Sequence, residues 1–267
     1  MKRPVVLASI VTLLIAVPVM GNDLVFVGLP AARAEFAASA GQIQLAVSVF
    51  VLTFASFQLI YGPLSDHFGR RPVILTTIGV FVVASALCAV AANLEWLVAA
   101  RVLQGIGAGA GPALGRAILR DSYGPERSIG MLSYIMSYFG IIAVAAPLIG
   151  GSLTDYFGWR AIFAFAAIYG VACFVMVLFL LDETAPPRDH ATGALHRVMR
   201  SYSLLIKSRN FVYLAFGNSL VYSAMFAWLA GLAFVLIDAL KLSAGGAGIW
   251  FGISVSGFIV GSALAGR

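Results

Sequence analysis

The sequence predicts an all-α membrane protein, on three observations: continuous apolar runs of spanning length, a scarcity of charge, and a one-sided distribution of basic residues. Hydrophobic residues make up 61% of the 267-residue chain and charged residues 10%, with a mean hydropathy of +0.98. A water-soluble domain is about 45–50% apolar and about 25% charged, so this chain needs an apolar solvent. A bilayer core offers no water to backbone groups, which leaves helices and closed barrels as spanning structures. Runs of about 20 apolar residues fit helices that cross a ~30 Å core, whereas barrel strands are shorter and alternate.

Eight spans are expected, at about 5–27, 43–63, 73–93, 95–118, 129–152, 158–181, 210–237 and 246–266. Lys2 and Arg3 before the first apolar run look like the start of a signal peptide. The run is longer than a signal h-region and lacks a small-residue cleavage site after it, so it is read as a retained helix. Basic residues accumulate on cytoplasmic loops. With the N-terminus in the cytoplasm, Arg33, Arg160 and Lys241 fall outside and Arg101 falls within a span. The rest of the 17 Lys and Arg lie inside. The net charge of +6 is therefore a topology signal, and no nucleic-acid partner is called for.

The chain divides into a six-helix bundle (1–181), a polar inter-domain loop (182–209) and two further spans (210–267). The loop holds Pro186-Pro187, and its stretch 194–206 reads either as an amphipathic helix on the inner leaflet or as a solvated linker. Cys88 and Cys173 lie within spans and read as small buried hydrophobes. No His and Cys cluster has ligand spacing, and neither a nucleotide-binding glycine loop nor a nucleophile elbow is present. The expectation is no metal, no cofactor and no enzymatic activity.

Two places carry chemistry. The run Tyr61-Gly62-Pro63-Leu64-Ser65-Asp66-His67-Phe68-Gly69-Arg70-Arg71-Pro72 separates the second and third spans. Gly62 and Gly69 suit tight turns, and Asp66 suits loop amides and a pairing with Arg70 or Arg71. The second place is Asp23, a carboxylate within a span. A central Asp costs about 2.5–3.5 kcal/mol there, so such residues usually face a cavity or a partner; the alternative is a position near the outer interface. Arg101 lies at a similar depth in the fourth span, which permits a pair. Protonating Asp23 would release the arginine and deprotonation would recapture it, an exchange suited to proton coupling. Asn22 stands beside Asp23 as a cavity hydrogen-bonder.

The 61–72 run resembles the loop signature of the major facilitator superfamily, Gly-x-Leu-x-Asp-Arg-x-Gly-Arg-Arg, with His67 where the family usually has arginine. The resemblance implies the major facilitator fold: a complete N-terminal six-helix bundle followed here by helices 7 and 8 of the C-terminal bundle. The chain is thus expected to be C-terminally truncated. Ser243-Ala244-Gly245 before the eighth span echoes Ser39-Ala40-Gly41 before the second. In the family, Gly62, Asp66, Gly69, Arg70 and Arg71 would form a gating loop that latches the cytoplasmic side on a helix of the second half; a purely structural loop pin is the alternative. Arg101-Val102-Leu103-Gln104-Gly105-Ile106-Gly107 resembles the fourth-helix motif Arg-x-x-Gln-Gly-x-Gly of proton-coupled members, which assigns Arg101 to proton coupling with Asp23. Spaced by four, Gly105/Gly109 and Gly107/Gly111 suit close helix packing.

Ala146-Pro147-Leu148-Ile149-Gly150-Gly151 resembles the antiporter motif Gly-Pro-x-x-Gly-Gly, with Ala146 for its glycine and Ile142 at the preceding glycine site. An ordinary proline kink is the plain alternative. Together with Gly158-Trp159-Arg160 and Leu181-Asp182-Glu183-Thr184, this segment is similar to the Bcr/CflA-type multidrug antiporters. The resemblance implies a substrate cavity drawing on Asn22, Phe26, Gln58, Gln104, Tyr138, Asn218 and Tyr222. It implies drug:proton antiport by alternating access in a bacterial inner membrane, with small amphipathic drugs, protons and lipid as partners and a monomer at full length. A proton-coupled uptake permease and a transport-inactive membrane fragment are the competing readings.

Overall fold

A computed structural model of the chain describes residues 4–185 and 203–265, and every regular element among them is helical. The helices are α1 (Pro4–Asn22), α2 (Leu29–Glu35), α3 (Ala40–Phe68), α4 (Arg70–Ala89), α5 (Leu94–Ala108), α6 (Ala110–Phe157), α7 (Arg160–Leu180), α8 (Arg209–Phe234) and α9 (Ala244–Ala265). A 3₁₀ turn, Phe26–Gly28, leads from α1 into α2, and a π-helical turn, Val235–Ala239, ends α8. Most of the polar loop, including the stretch 194–206 up to residue 202, lies outside the described residues.

Six stretches among the described residues are long and apolar enough to cross a membrane. One of them, Leu94–Phe157, has 64 residues and would extend roughly 96 Å as one rod at ~1.5 Å per residue. It is two crossings. Gly124 breaks it with φ 76° and ψ 169°, a region open to glycine and strained for other residues. Pro125 then starts the next helix, a first-turn position where no N–H is needed. The fourth and fifth expected spans lie on either side of this break, and α9 supplies the eighth.

Several expected edges move. The first span does not stop at 27: after a break at Asp23–Val25 the helical path continues to Glu35. The expected loop at 61–72 shrinks to one non-helical residue, Gly69, at φ 99°. Gly62 is therefore a helical residue of α3 and makes no turn. The charged residues of this run extend two helices past the apolar stretch, Asp66 exposed and Arg70 buried against acidic partners.

Two apolar clusters fill the bundle. One, near the Gly69 end, includes Leu14, Phe50, Ile74, Phe81 and Leu114. The other, toward the Gly158 end, includes Leu24, Phe26, Ile43, Leu97, Phe163 and Phe251. The fourth-span glycines serve close packing: a Cβ on Gly107 would strike the Phe81 backbone, and one on Gly111 the Leu14 carbonyl. Ser39 begins α3 with a reciprocal capping box to Gln42, and Ser243 accepts from the Gly246 N–H at 3.0 Å. The repeated tripeptide thus marks a helix start in both places.

Helix α9 lies along the Phe157 end of α6. On one face of α6, Val144, Pro147, Leu148 and Gly151 touch α9. Continuing that face toward Gly124, Ile141 is 67% and Tyr134 73% exposed, and the first half of α8, 209–224, is exposed throughout. The two groups of helices meet at the Gly158 end and diverge toward the Gly69 end.

The break at Gly124 yields a test in α6. Neither Gly124 nor Gly130 would bring a Cβ within 4 Å of another group, so any difference between them is conformational. Gly124→Ala is expected to lower stability by about 1–3 kcal/mol. Gly130→Ala, in regular helix, should be neutral or stabilising by up to about 1 kcal/mol. Thermal unfolding of the purified variants in one detergent measures both.

Candidate functional site

Arg101, Gln104 and Ser85 are fully buried, and Asn22 is nearly so. A charge held out of water must have its donors met, and each nitrogen of Arg101 has a partner, with four of its five N–H groups engaged. Its Nε donates to the Ala46 carbonyl at 2.8 Å. Nη1 donates to the Gly21 carbonyl and to Gln104 Oε1, the latter at 2.6 Å. Nη2 donates to Asn22 Oδ1 at 3.0 Å. The guanidinium lies 4.2 Å from the Phe50 ring centroid, a favourable cation–π placement. Gln104, one turn along α5, passes its own amide hydrogen to Ser85 Oγ on α4 at 2.8 Å. The helix break supplies the Gly21 carbonyl: Val25 N–H bonds to Asn22, leaving Gly21 without the usual partner four residues on. A cation is well placed at such a helix C-terminus.

The direct Asp23–Arg101 pair expected from sequence is not formed. The half-buried Asp23 accepts a bond from Asn22 Nδ2 at 3.4 Å, and Asn22 contacts Arg101 through its other amide atom. The break at Asp23 turns Asn22, not the carboxylate, toward the arginine. Asp23 sits one amide away from a cation whose hydrogen bonds are already made.

The expected cavity residues separate into two sets. Asn22 and Gln104 belong to the Arg101 network. Phe26 is buried, with its ring centroid 6.4 Å from those of Phe226 and Phe251. Tyr138 and Tyr222 are 62% and 49% exposed, Asn218 is exposed and Gln58 half-buried; none of these four joins the network. A small apolar cavity lined by Val25, Leu29, Ala46, Leu97, Trp159 and Phe163 includes none of Asn22, Asp23, Arg101 or Gln104.

At the Gly69 end, Arg70 is the buried centre. It pairs with Asp66 at 2.6 Å, with Asp121 at 3.1 Å, and donates to Ser65 Oγ. Arg71 instead donates to the Leu178 carbonyl at 2.7 Å, in the last turn of α7. Asp66 was expected to accept the loop amides, but Glu183 does so. It takes the Arg70 and Arg71 N–H groups at 2.9 and 3.2 Å, and those of Thr184 and Ala185 at 3.0 and 2.9 Å. Gly69 permits this approach, since a Cβ there would meet the Glu183 carboxylate. Sequence reasoning missed Glu183 and Asp121 as members of this cluster. The available signal was that both are acidic residues flanking spans at the same end as Arg70.

Pro147, Gly150 and Gly151 lie on two interfaces at once. A Cβ on Gly150 would strike the Leu24 carbonyl in the first-span break, and one on Gly151 the Ala244 carbonyl of α9.

Broken apolar helices, a buried arginine held by four hydrogen bonds and a clamped helix junction describe a multi-pass membrane protein of the transporter kind. The family model for the Major Facilitator Superfamily matches residues 11–267, and the chain belongs to that family. It is 31% identical over 268 residues to the "Uncharacterized MFS-type transporter YdgK" of Bacillus subtilis, covering 100% of this chain and 67% of that protein. It is 34% identical over 207 residues to the "Multidrug resistance protein MdtL" of Escherichia coli O81, covering 74% of this chain. The chain spans about half, 53%, of that relative's length. Among solved structures, a bacterial homologue of the human lysosomal transporter Spinster, inward-facing and unoccupied, superposes with a TM-score of 0.77. It is 19% identical and is matched over 94% of this chain and 60% of its own. The human organic anion transporter MFSD10 gives a TM-score of 0.65 at 18% identity, over 95% of this chain and 70% of its own.

Two variants probe these clusters. Arg101→Ala leaves two carbonyls and two amides without their donor, and a buried polar group left unsatisfied costs about 1–3 kcal/mol. The variant is expected to lose most of its thermal stability in detergent, and Arg101→Lys, with one donor group for the four acceptors, should recover only part. Burial works to raise the Glu183 carboxyl, but the four backbone N–H groups outweigh it and hold the carboxyl below its usual value. The stability it contributes is present above the unfolded carboxyl's pKa, about 4.3, and is lost as pH falls through the lower folded value. The stability difference between the wild type and Glu183→Gln should therefore be constant near neutrality and shrink below about pH 4.3. Unfolding curves from pH 7 downward read this directly.

Proposed function

We propose that this chain is the N-terminal bundle and the first two C-terminal helices of a proton-coupled exporter of small amphipathic drugs. It works by alternating access in a bacterial inner membrane, with the N-terminus and the Gly69 end in the cytoplasm. Residues 1–181, 182–209 and 210–267 are its bundle, inter-domain loop and partial second bundle, and the full-length transporter is a monomer. The observation that carries the reading is the placement of the fifth-span segment. Its glycines hold α6 against the first-span break on one side and against α9 on the other, so a movement between the helix groups passes through the segment that resembles an antiporter motif. The multidrug resistance relative supports drugs as the cargo.

Asp23 is the proton carrier in this scheme. It is the one member of the Asn22–Arg101–Gln104 group that is not in the fully buried class, and in this scheme it exchanges the proton while the arginine stays enclosed. Asn22 donates to Asp23 and accepts from Arg101; neutralising the carboxylate therefore weakens one bond of an amide that also holds the cation. Asp66, Arg70 and Arg71, held by Glu183, form the cytoplasmic gate. The exposed Tyr138, Asn218 and Tyr222, with Gln58, line the space between the helix groups into which drugs enter.

Proton-driven efflux of a fluorescent cationic dye and of a phenicol, from vesicles bearing the wild type, Asp23→Asn or no transporter, tests this. Efflux from the wild type and a return to the empty-vesicle rate in Asp23→Asn are expected. Proton-coupled accumulation would identify an uptake permease, an unaffected Asp23→Asn would remove the proton role, and no flux in either direction would leave a transport-inactive membrane fragment.

A further inference from the structure

The N-termini of α3 and α9 start with the same Ser-Ala-Gly sequence but are completed differently. At α3, Ser39 and Gln42 cap the helix from within. At α9, Ser243 reaches only the Gly246 N–H. The Ala244 and Gly245 N–H groups donate instead to Asp155 on α6, at 2.9 and 2.8 Å to its two carboxylate oxygens. Asp155 thus takes two of the helix's orphan donors and sets a negative charge at the positive end of its dipole, from the other group of helices. Close by, Arg33 of α2 pairs with Asp238 on the π-helical turn at 3.0 Å. Gln44 of α3 donates to the Ala230 carbonyl of α8 at 3.3 Å. Beneath these contacts, Phe26, Phe226 and Phe251 close the seam.

We propose that Asp155 is the outer latch of the transport cycle: its bidentate capping of α9 holds the two helix groups together at the Gly158 end, and its release opens that end. This rests on the alternating-access reading given above. Three features fit a contact made to be broken. The carboxylate is exposed, so water can replace α9 as its partner without leaving a charge buried. Asp155 lies one turn beyond Gly151, where the two backbones approach closely enough that a side chain would prevent contact. Every other polar bond across this seam is also at least partly exposed, unlike the enclosed Arg101 network inside the bundle. Once α9 moves away, its first two N–H groups have only water, so the latch favours closure whenever the ends meet.

Ala247, fully buried on α9 beneath the latch, reports the seam. In membrane vesicles, an Ala247→Cys variant is treated from the Gly158 side with an impermeant maleimide. It should label slowly with Asp155 intact and at least about tenfold faster in Asp155→Ala, as expected from removing two charge-assisted hydrogen bonds from the closed state alone. Asp155→Glu keeps the charge and should stay near the wild-type rate. Native Cys88 and Cys173, buried within the bundle, must remain unlabelled throughout. If Asp155→Ala does not accumulate, Asp155→Asn, which keeps the shape but only one acceptor oxygen, carries the same test. An unchanged Ala247→Cys rate overturns the latch. So does an equal rise in Asp155→Glu, or a joint rise at Cys88 and Cys173, which reports a loosened fold instead of an opened seam. Labelling needs neither drug nor proton gradient, so its outcome is separate from that of the efflux assay.

Discussion

A full positive charge sits at the centre of an apolar bundle, and the local architecture is arranged around satisfying it. The Arg101 guanidinium is shut off from bulk solvent and has no carboxylate partner among the described residues, and its hydrogen bonds go to the Gly21 and Ala46 carbonyls and to the side chains of Asn22 and Gln104. Those acceptors come from α1, α3 and α5, and Gln104 extends the network to α4 through Ser85. The break in the first span is half of this arrangement. An unbroken helix would keep the Gly21 carbonyl for its own ladder and leave the arginine short of an acceptor. The fourth-span glycines are the other half, since they bring the helices near enough for one guanidinium to reach three of them.

What was legible in the sequence follows from range. Apolar runs placed the spans, because length and hydrophobicity are local properties, and the family motifs located Arg101, Gln104 and the fifth-span glycines. Edges failed where polar residues continue a helix past the membrane. Gly62, Gly69 and the charges between them suggested a loop at 61–72, yet Gly62 and Pro63 sit inside α3 and Pro72 in the first turn of α4, where its missing N–H is harmless. Counting residues brought Asp23 and Arg101 into one neighbourhood, but which side chain faces the arginine depends on a helix break that no local pattern announced. Glu183 and Asp155 were out of reach. Their partners lie 113 and 90 residues away, and an acidic residue at a span edge looks the same whether it faces solvent or caps another helix.

Those two carboxylates perform one piece of chemistry at opposite ends of the molecule. Each accepts consecutive N–H groups at the start of a helix it does not belong to. Glu183 joins two helices of the same bundle around Gly69, backed by the buried Arg70 pairs with Asp66 and Asp121. Asp155 joins helices of different groups, with exposed contacts around it. The surroundings differ: beside the Glu183 cap the buried Arg70 guanidinium holds Asp66 and Asp121, whereas the Asp155 cap has only partly exposed contacts beside it.

The Glu183 cap also sets an order of assembly. The α4 N-terminus leaves the ribosome 113 residues before the carboxylate that completes it. At about 5–20 residues per second, that N-terminus waits on the order of ten seconds with its first amides facing water. The junction of the second and third spans is therefore made before its cap exists, and it is completed only once the end of the sixth span has been synthesised. A chain halted between those points would carry an uncapped helix start bearing two arginines.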